Sequence, residues 1–188
     1  NTVNGWGTIT IMLHWLVALT IFGLFGLGLW MTGLDYYHPW YRQGPDLHRS
    51  IGAFLFIAIM LRIGWRLMNT TPAALLNHKR WEIVAAHLAH VLLYLLPLLI
   101  MASGYLISTA DGRSVSVFGW FEIPALYTAI EQQEEIMGVV HTVLAWSLIA
   151  IAAIHALGTL KHHLIDRDET LTRMLSLYLA QRRKDAKG

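Results

Sequence analysis

The stretch Ile136–Leu160, IMGVVHTVLAWSLIAIAAIHALGTL, decides the fold. An unbroken apolar run of this length predicts a helix that is apolar on every side, and ~20 such residues cross the hydrocarbon of a bilayer. Inside it stand His141 and His155, fourteen positions apart. A helix turns once per 3.6 residues, so this interval is just under four turns. Both imidazoles leave one face, displaced by roughly 21 Å along the axis at ~1.5 Å per residue. One histidine therefore lies near each side of the hydrocarbon, where ionisable side chains are expensive and generally functional.

Outward from this run, three more apolar segments complete the pattern. Helices are expected at about 8–34, 48–68, 82–107 and 136–163, with a tail over 164–188 and a single domain over 1–188. Of 188 residues, 55% are hydrophobic and only 14% charged, which leaves little for a soluble domain. The expected class is all-α: an integral membrane four-helix bundle, up-down-up-down. The first run lacks a basic leader and is read as a span rather than a cleaved signal. Pro97 should kink the third helix. There is no cysteine, which excludes disulfides, cysteine-ligated iron–sulfur clusters and thioether-attached haem. Any redox cofactor must be held by histidine or methionine. A net charge of +2 gives no basis for nucleic-acid binding.

Charge sets the orientation. Arg62, Arg66, Lys79, Arg80, Lys161, Arg167, Arg173, Arg182, Arg183, Lys184 and Lys187 fall on the side of the second loop and the C-terminal tail. Only Arg42, Arg49 and Arg113 fall opposite, among Asp35, Asp46, Asp111, Glu122, Glu131, Glu134 and Glu135. By the positive-inside rule both termini are cytoplasmic. Trp30, Tyr36, Tyr37, Trp40 and Tyr41 outside, with Trp65 and Trp81 inside, read as interfacial belts. The outer segment 115–130, VSVFGWFEIPALYTAI, is amphipathic and too short to span; it is expected to lie on the outer surface and cap the bundle. The tail after Asp166 reads as a surface helix fraying into solvent.

The histidines sort by depth. His48 opens the second helix on the outer side, level with His141. His14 lies near the inner start of the first helix, level with His155. Antiparallel neighbours can then present facing imidazoles at each level, the way bundles build cofactor sites. Two stacked haem b groups suit this better than a bare metal. Zinc would want three or four convergent ligands at one level, and none converge in the spans. Ala18, Gly52, Gly138, Ala145 and Ala152 lie near the ligands and leave room for a flat ring; Gly23, Gly26 and Gly28 thin the first helix, as close helix packing also would. The competing interpretation, histidines merely hydrogen-bonded to neighbouring helices, does not explain two depth-matched pairs.

His87 and His90 lie at the inner level and compete with His14 as ligands; otherwise they suit hydrogen bonding to a haem propionate or a quinone. Arg49, and Arg62 or Arg66, are placed to pair with propionates, although snorkelling explains the latter two equally well. His162, His163 and Asp166 read as solvated interfacial groups, and His38 and His78 as loop residues.

These residues resemble the bacterial and organellar cytochrome b561 family. The matching stretches are LHWLVA with His14, LHRSIGAFLF with His48, AHLAHVLLYLLP with His87 and His90, HALGTLKHHLIDRDETLTRML beginning at His155, and GYLISTADGRSVSVFGWFEIPA. The resemblance implies that His48 and His141 hold an outer haem b and His14 and His155 an inner one, with His87 and His90 in supporting roles. It further implies a ubiquinone partner and the bacterial inner membrane. The function implied is transmembrane electron transfer, as a carrier or as a quinone-linked oxidoreductase. One kind of family member oxidises superoxide and passes the electron to ubiquinone, but the acidic outer balance here offers that anion little steering. Other expected partners are the lipid bilayer and a periplasmic or membrane redox protein. A haem-bearing anchor of a larger dehydrogenase is the alternative. A metal or haem transporter would want acidic residues along a path, which the spans lack.

Overall fold

The computed structural model describes residues 1–2, 5–73, 79–128 and 130–175. Four long helices, α1 (Thr8–Thr32), α2 (Gln43–Met68), α3 (Arg80–Ser108) and α4 (Gln133–Leu164), are each long and apolar enough to cross a membrane. The expected all-α four-helix bundle is present. Large apolar side chains cover its outside: Leu19, Val84 and Ile154 are each more than 60% exposed in the protein alone. In water such a surface would aggregate; in lipid it is solvated.

α2 starts before His48. Pro45 sits in its first turn, where the missing N–H has no partner to lose, so the helix reaches back to Gln43 and His48 is more than a turn inside. At the end carrying Asn1, here called the terminal end, the Asn1 carboxamide accepts from Gly7 N–H at 2.9 Å and Thr10 Oγ1 at 2.7 Å, supplying the cap that Gly7 cannot. Trp65 Nε1 donates to Thr10 Oγ1 at 3.0 Å, tying α2 to α1.

The amphipathic segment on the opposite end contains a short β-hairpin. Val115–Val117 (β1) and Phe121–Ile123 (β2) form an antiparallel hairpin, with Val117 opposite Phe121. Phe118 and Gly119 both have positive φ, and Trp120 N–H closes the turn on Val117 O at 2.9 Å. The strain at Phe118 is held in place by α2: its N–H donates to Ser50 Oγ at 3.0 Å, and its ring packs on Phe54. Val117 is completely buried beneath it. The hairpin does cap the bundle. Of the expected C-terminal surface helix, the described part is α5 (Thr172–Leu175); 176–188 and His78 lie outside the described residues.

The helices associate as two pairs. α1 packs on α2 and α3 on α4 extensively, whereas α2 and α3 touch far less. Val17, Leu55 and Ile59 form a buried apolar cluster, joined by Leu98 and Met101 from α3. Along α1 and α2 this cluster falls between His14 and the hairpin end, and between His48 and Arg62. Apolar side chains thus partition the interior into two polar levels.

Candidate functional site

At the hairpin end, His48 of α2 and His141 of α4 face each other with ring centres 6.2 Å apart and planes inclined at 65°. The Nδ1 and Cε1 edge of each ring leans on a glycine of a neighbouring helix. A Cβ on Gly28 of α1 would lie 3.4 Å from His48 Cε1, and one on Gly104 of α3 would lie 3.1 Å from His141 Cε1. Gly104 is a close-approach position where glycine is used for its missing side chain, whereas a methyl at Gly28 would make an ordinary van der Waals contact. His141 Nδ1 lies 2.9 Å from Ile100 O and 3.2 Å from Ser103 Oγ. A carbonyl can only accept, so the proton of neutral His141 is on Nδ1 and Nε2 keeps its lone pair. His48 Nδ1 is buried without a hydrogen-bond partner among the described residues.

The terminal end differs. Arg62 Nη2 lies 3.0 Å from His14 Nδ1, and a guanidinium can only donate, so His14 Nδ1 here offers its lone pair. Arg62 Nε also donates to Tyr94 Oη at 3.1 Å. Arg66 lies over the rings of Trp6 and Tyr94, 6.0 Å from each centre. His14 is within electrostatic reach of His155 and His90. His155 packs on His90 of α3 with ring centres 5.2 Å apart. His87, three residues away, is exposed on the helix surface. The structure therefore separates this pair: His90 turns inward and His87 does not.

Several charges at the two surfaces are paired. Arg49, beside His48, pairs with Asp46, and Arg113 pairs with Asp111. The hydrogen bond from Arg113 holds the Asp111 carboxyl below its ordinary range, and Arg113 is raised in turn. On the terminal side, Lys161 Nζ bridges Glu82 and Asp166 at 2.6 Å each, and His162 Nδ1 lies 2.7 Å from Asp166. Glu82, His162 and Asp166 come close enough to suggest a cation site, but the Lys161 ammonium already sits between the two carboxylates as their cation. His163 occupies the last turn of α4, and His38 packs beside Trp30 in the loop after α1.

Comparison with known proteins identifies the architecture. The family model described as prokaryotic cytochrome b561 matches residues 5–177. The chain belongs to this family. Among its relatives, a protein named cytochrome b561 homolog 2 of Escherichia coli K12 is 45% identical over 93% of each chain. A probable superoxide oxidase of Yersinia pestis is 29% identical, covering 87% of this chain and 91% of its own. Cytochrome b561 homolog 1 of Escherichia coli K12 is 25% identical, over 92% and 98% respectively. Membership makes this a multi-pass bacterial membrane protein of electron transfer, in a family that binds haem b.

The hairpin-end pair fits such a group. With metal–imidazole bonds of about 2.0–2.1 Å and about 1.1 Å from nitrogen to ring centre, two trans imidazoles stand roughly 6.3 Å apart, centre to centre. The His48–His141 spacing of 6.2 Å matches. The His90–His155 spacing of 5.2 Å is too short for two imidazoles on opposite sides of one metal. Sequence reasoning missed Ile100, Ser103, Gly104 and Tyr94. Ser103 and Gly104 did leave a signal, a pair of small residues in α3 at the depth of His141.

Proposed function

We propose that the chain carries electrons across the bacterial inner membrane through two haem b groups, each held by two histidines, and exchanges them with ubiquinone. His48 and His141 hold the hairpin-end group; His14 and His155 hold the terminal-end group. A haem held this way supplies a reversible one-electron centre with no vacant coordination position. The observation that carries the reading is the 6.2 Å facing of His48 and His141, with the His141 proton committed to Nδ1 by Ile100 O. Second-sphere acceptors of this kind orient metal-binding imidazoles.

At the terminal end, Arg62 and Arg66 supply the positive charge for propionates. Among the described residues their contacts are with rings and a hydroxyl rather than a carboxylate, which suits both cations to an anionic group. With Arg62 turned to a carboxylate, His14 Nδ1 can take up its proton and leave Nε2 as the donor nitrogen. His90 supports His155, and the exposed His87 suits a hydrogen bond to a lipid-borne quinone. The Lys and Arg distribution supports cytoplasmic termini and a periplasmic hairpin end, with residues 1–188 one functional unit.

A relative bears the name probable superoxide oxidase. In this chain Arg49 and Arg113, two of the three outer cations, are already paired with carboxylates. That favours a redox partner other than a small anion as the outer donor. The test is a reduced-minus-oxidised spectrum of the purified full-length protein, followed by quinone reduction in liposomes. A b-type signal with paired imidazoles, bleached on adding ubiquinone, is expected; its absence from well-folded protein overturns the reading.

A further inference from the structure

Two imidazoles facing each other at the hairpin end are unequal, and the difference lies in α3. Ser103 is buried, 3% exposed, in a helix that otherwise presents apolar side chains at this depth. Its hydroxyl donates to Ile100 O at 2.8 Å, which commits the hydroxyl proton. The free lone pairs of Oγ then face His141 Nδ1 at 3.2 Å, beside the Ile100 carbonyl at 2.9 Å. The Nδ1–H proton is shared between two acceptors, one of which is polarised by the other. Gly104 keeps the opening clear: a Cβ there would lie 3.3 Å from the same nitrogen. His48 Nδ1 has no such partner among the described residues.

Drawing on the Nδ1 proton raises the basicity of the opposite nitrogen, and a more basic axial ligand favours the oxidised metal. Resting on the reading of His141 as a ligand, we propose that Ser103 is a positioning residue. It fixes the plane of the His141 ring and holds the reduction potential of the hairpin-end haem below that of a haem without this contact. The Ile100 carbonyl sets the tautomer; Ser103 adds donor strength and orientation. The contact has a functional sense because it occurs at the hairpin end, whereas His14 at the other end meets a donor, Arg62; a potential lowered at one centre and not at the other gives electron flow a direction.

The experiment is a redox titration of full-length membrane protein carrying Ser103→Ala, Ser103→Thr or His141→Ala, with haem content and low-temperature electron paramagnetic resonance measured on each. Ser103→Ala is expected to keep both haems and raise the midpoint of one while leaving the other unmoved, with a shifted resonance for that centre. Ser103→Thr, which keeps the hydroxyl, should restore both. Loss of one haem in Ser103→Ala that Ser103→Thr recovers also supports the positioning role; loss that Ser103→Thr does not recover marks mere packing and overturns it. Unchanged midpoints with both haems retained overturn it too. His141→Ala reports separately on the underlying reading: if that variant keeps both haems, His141 is not a ligand and the role of Ser103 falls with it.

Discussion

The two ends of the bundle use histidines of the same helical phase in opposite chemical settings. At the hairpin end, His141 meets a carbonyl and a hydroxyl oxygen, and its facing partner stands 6.2 Å away. At the terminal end, His14 meets a guanidinium, and His155 packs on His90 at 5.2 Å. An acceptor beside Nδ1 fixes a proton there; a donor removes it. The nearest neighbour, rather than the histidine, decides which nitrogen is available to a metal. Charge follows the same division. Arg49 carries its own carboxylate partner, Asp46, whereas Arg62 and Arg66 contact rings and a hydroxyl. The hairpin end is preset, whereas at the terminal end no carboxylate among the described residues meets Arg62 or Arg66.

The largest expected effect tests the terminal end. His155→Ala and His14→Ala should each abolish one b-type signal in the reduced-minus-oxidised spectrum, while His90→Ala should keep both with a shifted band. The reverse pattern for His14 and His90 would exchange their roles.

Next comes the glycine beneath each outer ring. Gly104→Ala sets a methyl 3.1 Å from His141, against 3.4 Å for Gly28→Ala beside His48. Overpacking of this kind typically costs about 1–3 kcal/mol. Gly104→Ala should lower thermal stability and hairpin-end haem retention more than Gly28→Ala, read by melting and haem content; equal effects would remove the distinction between the two supports.

Replacing the arginines should separate the ends again. Arg62→Gln is expected to weaken haem retention at the terminal end by about 10–100-fold, the range for lost second-sphere partners. Arg49→Gln should change little, because Asp46 already neutralises that charge. Haem loss to a scavenger protein measures both.

The smallest effect concerns pH at the hairpin end. Arg113 holds the Asp111 carboxyl below its ordinary value of 3.8. A lowered carboxyl pKa stabilises the folded state above that ordinary value and loses its contribution as pH falls through the lowered one. The pair is exposed and therefore weak. Wild type and Asp111→Asn should melt nearly together at neutral pH and converge fully in acid; a large gap at pH 7 would contradict the pairing as described.

Much of this was legible in the chain. Four apolar runs dictate four helices, and the fourteen-residue interval from His141 to His155 dictates two levels on one face. What the sequence withheld is rotational. Whether His87 or His90 faces the interior depends on how α3 is turned against α4, which no periodicity of α3 reports when the helix is apolar all round. Ser103 and Gly104 stand in the chain as a pair of small residues at the depth of His141, but small residues point to a site only once a neighbouring ring is known to lie on them. The hairpin escaped because alternation over VSV and FEI is brief, and the turn requires Phe118 in a conformation that side chains rarely adopt. The early start of α2 was hidden by Pro45, which reads as a breaker until its place in the first turn is seen.

Two haems at two depths, each between paired imidazoles, would fix the haem stoichiometry of the chain and of its variants. The direct measurement is haem per chain in the purified protein and in His14→Ala, His48→Ala, His141→Ala and His155→Ala. Two haems in the parent and one in each variant is the expected result. A parent with fewer than two, or any of the four variants retaining both, would contradict it.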